Sequence, residues 1–327
     1  MIKRNVKNPI ITRADIPEIY PELIDVSSVF NPGAIKFNGR YILLLRVQNR
    51  GRETFIVKAE SSDGIDFKVD NRIVDFKGME KIDKKIYHVY DARITCLTGR
   101  QANIQNQFYV MFAMDMDEGC SLGLAKTNDF SEYQFLGIVS DDDVRNGVLF
   151  PEKINGKYLR FDRPNKVQLE GGPASGNTIF LSESDDLLKW KPKKAVMSGR
   201  FHYWDENIGS GPPPVKTKEG WLQVYHGVAM HFASSNIYQA GVSLHDLNDP
   251  SIVLARSRCN ILEPRELFEL VGQVSNVVFP SGMIVEEYDD NGFAEPESKV
   301  LIYYGAADTS VGLAVTTIKE LIDATRM

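Results

Sequence analysis

Asn38-Gly39-Arg40-Tyr41-Ile42-Leu43-Leu44-Leu45-Arg46 reads as a tight turn followed by a short strand rich in Tyr, Ile and Leu. The same order returns at Asn155-Gly156-Lys157-Tyr158 and Glu219-Gly220-Trp221. Weaker copies stand at Gln107-Phe108-Tyr109 and Lys299-Val300-Leu301. A second element, a Ser/Asp-rich turn ending in an apolar or aromatic residue, recurs at residues 61–67, 127–133, 184–190 and 244–250. Five copies of the first element in 327 residues give a mean spacing of about 65. Short strands repeating at such a period signal repeated sheets, and a radial array closes them. The expected fold is all-β: one five-bladed β-propeller over residues 1–327, with a site in its central cavity. A pair of β-sandwiches is the structural alternative. Residues 317–324 and 263–270 are the helix candidates, the former giving a short C-terminal helix.

Apolar residues at 43% and charged residues at 25% suit a globular chain that can bury a sizeable core. A net charge of −6 argues against a non-specific grip on nucleic acid or anionic membrane. An anion must therefore be held by a local basic cluster. Cys96, Cys120 and Cys259 are sparse and odd in number, which suits a reducing compartment rather than a disulfide framework or zinc site. No signal peptide is visible, and no apolar run approaches the roughly 18 residues of a membrane helix. A cytoplasmic location is expected, with no nucleic-acid or membrane partner.

Several tempting motifs fail. Residues 171–176 (GGPASG) lack the Lys-Ser/Thr ending of a phosphate loop, and residues 115–119 (DMDEG) lack the later ligands of a calcium loop. There is no GxSxG or HExxH, and the histidines show no ligand spacing, so no metal site is expected. The acidic runs at residues 141–143 and 286–290 read as solvated loops. In Tyr90-Asp91-Ala92-Arg93, Asp91 heads an apolar strand. An acid there would point into a propeller's funnel, where partial burial suits a general acid; a turn-capping Asp is the equal alternative. Arg46, Arg52, Arg145, Arg163 and His226 form a scattered basic set. Arg163 and His226 each end a repeat strand, so they could share a pocket, and guanidinium forks suit a tetrahedral oxyanion. Surface ion pairing is the alternative for each Arg. Residues 208–214 (IGSGPPP) form a rigid, side-chain-poor loop. Tyr203, Trp204 and Tyr238 could stack on a sugar ring, or be core.

Taken in order, residues 30–34 (FNPGA), 46–52, 90–95 (YDARIT), 146–164, 208–214, 220–227, 276–280 and 304–308 resemble the inverting β-mannoside phosphorylases of glycoside hydrolase family 130 over almost the whole chain. The resemblance implies a five-bladed propeller with its site in the central cavity. It implies Asp91 as the single catalytic acid, protonating the glycosidic oxygen through a mannosyl hydroxyl. Asn31, Arg46, Arg52, Tyr90 and Asp308 are implied as sugar ligands. Arg145, Arg163, Asn207, His226 and Tyr238 are implied around the phosphate. The expected reaction is phosphorolysis of a β-mannosyl oligosaccharide to α-mannose 1-phosphate and a shortened acceptor. Inorganic phosphate is the co-substrate and no cofactor is expected. An inverting hydrolase needs a second carboxylate as base, whereas phosphate is already an anionic nucleophile. Family phosphorylases often carry Lys or Arg where Asn207 stands, so the alternative is a β-mannosidase, with Asp205 or Glu206 as base candidates. A homo-oligomer, with a neighbouring subunit lending a loop to the cavity, is left open. Arabinanase- and invertase-like propellers, with an acid near Pro32, do not fit Asn31.

Overall fold

A computed structural model describes residues 2–97, 107–140, 143–165, 176–231 and 235–327, the side chain of Lys193 excepted. Its strands form five sheets, taken almost in chain order. The first blade comprises Val26–Phe37, Arg40–Asn49, Thr54–Ser61 and Lys68–Ile73. The second comprises Ile86–Leu97, Gln107–Met116, Gly119–Thr127 and Tyr133–Ile138, with Phe76–Lys77 added parallel at its edge. The third runs through Val144–Leu149, Tyr158–Pro164, Thr178–Ser184 and Trp190–Ser198. The fourth holds Asn207–Ser210, Gly220–Ala229, Ile237–His245 and Val253–Arg256, with Val215–Thr217 also paired to its second strand. The fifth holds Val278–Val285, Lys299–Ala306 and Ser310–Thr317, and takes its outer strand, Lys3–Arg4, from the other end of the chain. The expected five-bladed propeller is the fold.

Each turn-plus-aromatic repeat opens the second strand of a blade. Each Ser/Asp repeat is the turn between third and fourth strands, where an acid folds back on backbone amides. Asp63 accepts from Ile65 and Asp66, and Asp186 from Leu188 and Lys189. The fifth blade has no such turn because its third strand runs straight into the helix Ile318–Ala324. Thr317 caps that helix by accepting from the Glu320 amide. The second helix candidate, residues 263–270, shrinks to the single turn Leu267–Leu270. The Glu269 carboxylate reaches back to the amides of Arg265 and Glu266, so the helix begins only after them.

Among the described residues the core is not one mass but five wedges between neighbouring blades, with a small sixth cluster of Tyr90, Ala113 and Cys120 inside the second. Leu43 and Leu45 face the fifth blade, packing with Leu301 and Tyr303. Ile42 and Leu44, pointing the opposite way, pack with Ala92 and Phe112 of the second. That is why the strand reads as a continuous apolar run: both its faces are buried. The wedges hold the innermost strands around a central channel. Chain crossings between blades and the turns after second strands share one face of the disc.

Candidate active site

The innermost strands carry bulges at matching places. Register slips between Phe30 and Gly33, Tyr90 and Arg93, Arg145 and Val148, and Pro280 and Gly282. At three of these bulges one residue adopts left-handed backbone: Asn31 (φ 47°), Asp91 (φ 55°) and Asn146 (φ 54°). Such a conformation is costly for a residue with a Cβ, and bulges re-aim side chains beside functional sites. Just before the bulge, the rung to the second strand pairs Phe30 with Arg46, Tyr90 with Ala113, and Arg145 with Arg163; in the fifth blade Phe279 pairs with Gly305 one rung earlier than that, and in the fourth blade Gly209 pairs with His226. One side of the ring is thus cationic or imidazole, and two places are nearly bare.

These residues enclose a cavity of about 310 Å³. Nine of the eleven residues expected in the site line it: Asn31, Arg46, Tyr90, Asp91, Arg145, Arg163, His226, Tyr238 and Asp308. Two do not. Arg52 is exposed on the turn after Asn49 and does not line the cavity. Asn207 points its amide at the Met230 sulfur, 3.0 Å away, and lies outside the cavity lining. Its expected place among phosphate ligands is therefore not one the geometry supplies.

Asp91 Oδ1 accepts from Asn31 Nδ2 at 3.0 Å and from Arg46 Nη1 at 3.1 Å. Among the described residues nothing bonds Oδ2. The turn-capping alternative for Asp91 does not hold, since both bonds come from side chains of another blade. Arg46 is clamped between the rings of Phe30 and Tyr90, each 4.5 Å from its guanidinium carbon. The Tyr90 hydroxyl is committed to Asp115 Oδ1 at 2.7 Å, which also faces Arg145 Nη2 at 3.6 Å. Burial pushes the Tyr90 phenol up. Tyr90 is thus a platform for Arg46 rather than a free hydroxyl.

Besides Asp91, two carboxylates line the cavity: Asp308, as expected, and Asp115, which was not. Burial lifts Asp308 to about 6 against the pull of Arg46, with the Asp91 charge adding to the rise. Asp205, by contrast, is fully buried and accepts from Arg200, Arg256 and Tyr225. It is saturated and pins the crossing before the fourth blade to that blade's strands, while Glu206 lines a separate outer cavity with Tyr203 and Trp204. Neither is a base in the central site, and neither aromatic is a platform there.

Three further lining residues escaped the sequence reading. Arg93 is 2% exposed; its Nε donates to the Gly211 carbonyl at 2.7 Å and its Nη1 to the Asp91 carbonyl at 3.1 Å. Burial lowers its guanidinium to about 10. Asn146 occupies the same left-handed bulge as Asn31 and Asp91, a rhythm legible in F-N-P-G, Y-D-A-R and R-N-G-V. Asp115 was hidden in the calcium-like run, whose residues form the hairpin turn between Met116 and Gly119.

The cavity's polar atoms are conspicuously unpaired. Asn31 Oδ1, Arg46 Nε, Arg93 Nη2, Arg145 Nε, Asn146 Oδ1, Arg163 Nε and His226 Nδ1 are all buried without a hydrogen-bond partner among the described residues. An unmet buried polar atom costs about 1–3 kcal/mol, so this many mark a site shaped for a polar ligand. Burial, then Arg163 and Arg93, holds His226 well below the ordinary imidazole range. It is neutral, so positive charge comes from arginines alone. Of the other readings, residues 171–175 of the Gly-rich run 171–176 lie outside the described residues, as do 141 and 142 of the acidic run. No helix among the described residues is long and apolar enough to cross a membrane.

A family description reading beta-1,4-mannooligosaccharide phosphorylase matches residues 2–327. The chain is 32% identical to the beta-1,4-mannooligosaccharide phosphorylase of Ruminococcus albus, covering 99% of this chain and 90% of that one. It is 31% identical to the 1,2-beta-oligomannan phosphorylase of a Thermoanaerobacter species, covering 90% and 92%. Among solved structures, the beta-1,2-mannobiose phosphorylase of Listeria innocua, in complex with beta-1,2-mannobiose, superposes with a TM-score of 0.83 at 27% identity, covering 99% of both chains.

Proposed function

The chain belongs to glycoside hydrolase family 130, and from that premise we propose that it is an inverting β-mannoside phosphorylase. One observation carries the reading. The guanidinium N–H groups of Arg93, Arg145 and Arg163 that lack partners among the described residues stand in the same cavity as an acid, Asp91, which accepts through Oδ1 alone among those residues. Arginine forks match a tetrahedral oxyanion, and burial makes each charge-assisted bond count for more.

In this reading Arg145 and Arg163 grip inorganic phosphate, Arg93 adds charge from the cavity floor, and neutral His226 and Tyr238 supply uncharged contacts. Asn31, Arg46 and Asp308 orient the mannosyl ring. A phosphate oxygen attacks the anomeric carbon from the face opposite the glycosidic oxygen. The new C–O bond forms as the glycosidic bond breaks, and its electron pair leaves with the acceptor oxygen. Asp91 provides the proton that neutralises that oxygen, directly or through a ring hydroxyl, and regains one from hydrogen phosphate. The products are α-mannose 1-phosphate and a shortened acceptor; no cofactor enters the balance. Hydrolysis of the same bond is the second reading, because Asp115 and Asp308 offer carboxylates that water activation could use.

The test is incubation with β-1,4- and β-1,2-mannooligosaccharides, with and without inorganic phosphate. Phosphate-dependent release of α-mannose 1-phosphate is expected. Equal rates without phosphate, yielding free mannose, would assign hydrolysis instead.

A further inference from the structure

Asp115 lines the central cavity at a place that a grip on an anion does not explain. It follows Ala113 by two residues on the second strand of the second blade, so the pleat puts both on one face. Ala113 pairs with Tyr90 and leaves that part of the wall bare, while Asp115 fills the next place with an acid. The Tyr90 hydroxyl donates to Asp115 Oδ1 at 2.7 Å, and burial pushes that phenol up, so it keeps its proton and stays a donor. Arg145 Nη2 lies 3.6 Å from the same oxygen, an ion pair too long for a hydrogen bond. Tyr90 rather than Arg145 therefore fixes the carboxylate, and the buried Nε of Arg145 has no partner among the described residues. Asp115 Oδ2 likewise makes no hydrogen bond among those residues.

A negative group is out of place beside an anion site. Arg145 pairs with Arg163 across the inner rung of the third blade, and burial, then the like charge of Arg145, lowers the Arg163 guanidinium. Two such cations draw an oxyanion between them, and that oxyanion shares Arg145 with Asp115. Two anions on one guanidinium repel unless a proton lies between them. Hydrogen phosphate brings that proton: its P–OH donates to the carboxylate, and repulsion becomes a short, charge-assisted O–H···O⁻ bond. Sulfate has much the same size, shape and charge near neutral pH but no proton to give, and an ionised carboxylate can only accept. We propose that Asp115 selects the nucleophile, taking a hydrogen bond from protonated oxyanions such as hydrogen phosphate and turning sulfate away. A like charge left facing the wrong ligand is an effective source of specificity, because the right ligand does not feel it. This deepens the phosphorolysis reading and rests on it for the placing of phosphate at Arg145 and Arg163.

Titration calorimetry with inorganic phosphate, arsenate and sulfate, slightly above neutral pH and at fixed ionic strength, tests it without any turnover. Wild type should bind phosphate and arsenate, which both carry a proton there, at least about tenfold more tightly than sulfate, the usual worth of one hydrogen bond to a charged group. Asp115→Asn keeps the shape and an acceptor for Tyr90 but offers an amide donor in place of a charge. It should weaken phosphate and tighten sulfate, bringing the two Kd values together. Asp115→Ser carries the same expectation should the Asn variant not fold. Arg163→Ala should abolish binding of all three anions, which ties the signal to this cavity. In phosphorolysis, sulfate should compete with phosphate in Asp115→Asn and barely in wild type. Equal losses of phosphate and sulfate affinity in Asp115→Asn would overturn the proposal, leaving Asp115 as a prop for Tyr90 and Arg145. Sulfate binding as tightly as phosphate to wild type would overturn it too, as would anion binding that survives Arg163→Ala. Selective binding by an enzyme that releases no mannose 1-phosphate refutes phosphorolysis alone, and phosphorolysis without selectivity refutes the role of Asp115 alone.

Discussion

Asp91 is held by two donors on one oxygen and left open on the other, which suits a group that must keep its place while trading a proton. Asp91→Asn preserves shape and an acceptor for Arg46, so the melting temperature should move little. Turnover of a poor-leaving-group disaccharide should fall about 10²–10⁴-fold, the usual worth of a general acid. Retention of a tenth of wild-type activity would refute the assignment. Asp308 makes a different prediction. Folded, it keeps its proton to about 6, whereas an unfolded Asp gives it up near 3.8. The folded chain binds more protons between those values, so stability falls as pH rises through that window. Asp308→Asn should remove this fall, melting at a higher temperature than wild type near neutrality and alike near pH 4. Parallel melting curves across that range would exclude the effect. Asp91 was legible as an acid set against the apolar run that follows it, although it stands at a bulge within the strand Ile86–Leu97 rather than at a strand's head. Arg93 was not, because an Arg two places along the same strand looks solvent-facing until the fourth blade's Gly211 carbonyl is seen to receive it.

Among the elements, the two-residue strand Lys3–Arg4 carries more than its length suggests. Arg4 forms a fork with Glu269, Nε to Oε1 at 2.8 Å and Nη2 to Oε2 at 2.9 Å. Glu269 is fully buried and also accepts from the Tyr304 hydroxyl at 2.8 Å. Burial opposes its ionisation, but Arg4, two backbone amides and Tyr304 outweigh it and hold the carboxyl below its ordinary range. Arg4→Ala strands that charge inside the protein and should cost about 3–5 kcal/mol in urea unfolding. The penalty should shrink as acid protonates Glu269. A loss under 1 kcal/mol would mean that the pair is not what latches the last blade. Nothing in Lys3-Arg4 announces a strand: two charged residues have no periodicity, and their partner strand lies over 300 residues away. The second strands were legible for the opposite reason, since burial on both faces writes an unbroken apolar run.

For the molecule as a whole, the unpaired atoms around the cavity predict a ligand-dependent stability. Inorganic phosphate should raise the melting temperature beyond what chloride of equal ionic strength does. At 100-fold over Kd the gain is about 2.7 kcal/mol. Arg163→Ala should abolish that gain, and an unchanged response would place the anion elsewhere. The blade count was legible from repeats alone. The pocket was not, because residues from five sheets meet only once the ring closes.

The inner rungs also bear on how such a site can change over generations. Each of the five is carried by a different sheet, so Arg46, Ala113, Arg163, His226 and Gly305 behave like tumblers in one lock. Four can be swapped by refitting a few facing side chains, such as Tyr90 against Arg46 or Phe279 against His226, which lets selection retune substrate and chemistry one tumbler at a time. The fifth is frozen. A Cβ at Gly305 would sit 2.0 Å from Asn31 Oδ1, so any larger residue there displaces a side chain that steadies Asp91. Lineages descending from this scaffold should therefore diversify at the other four positions and inherit glycine at this one.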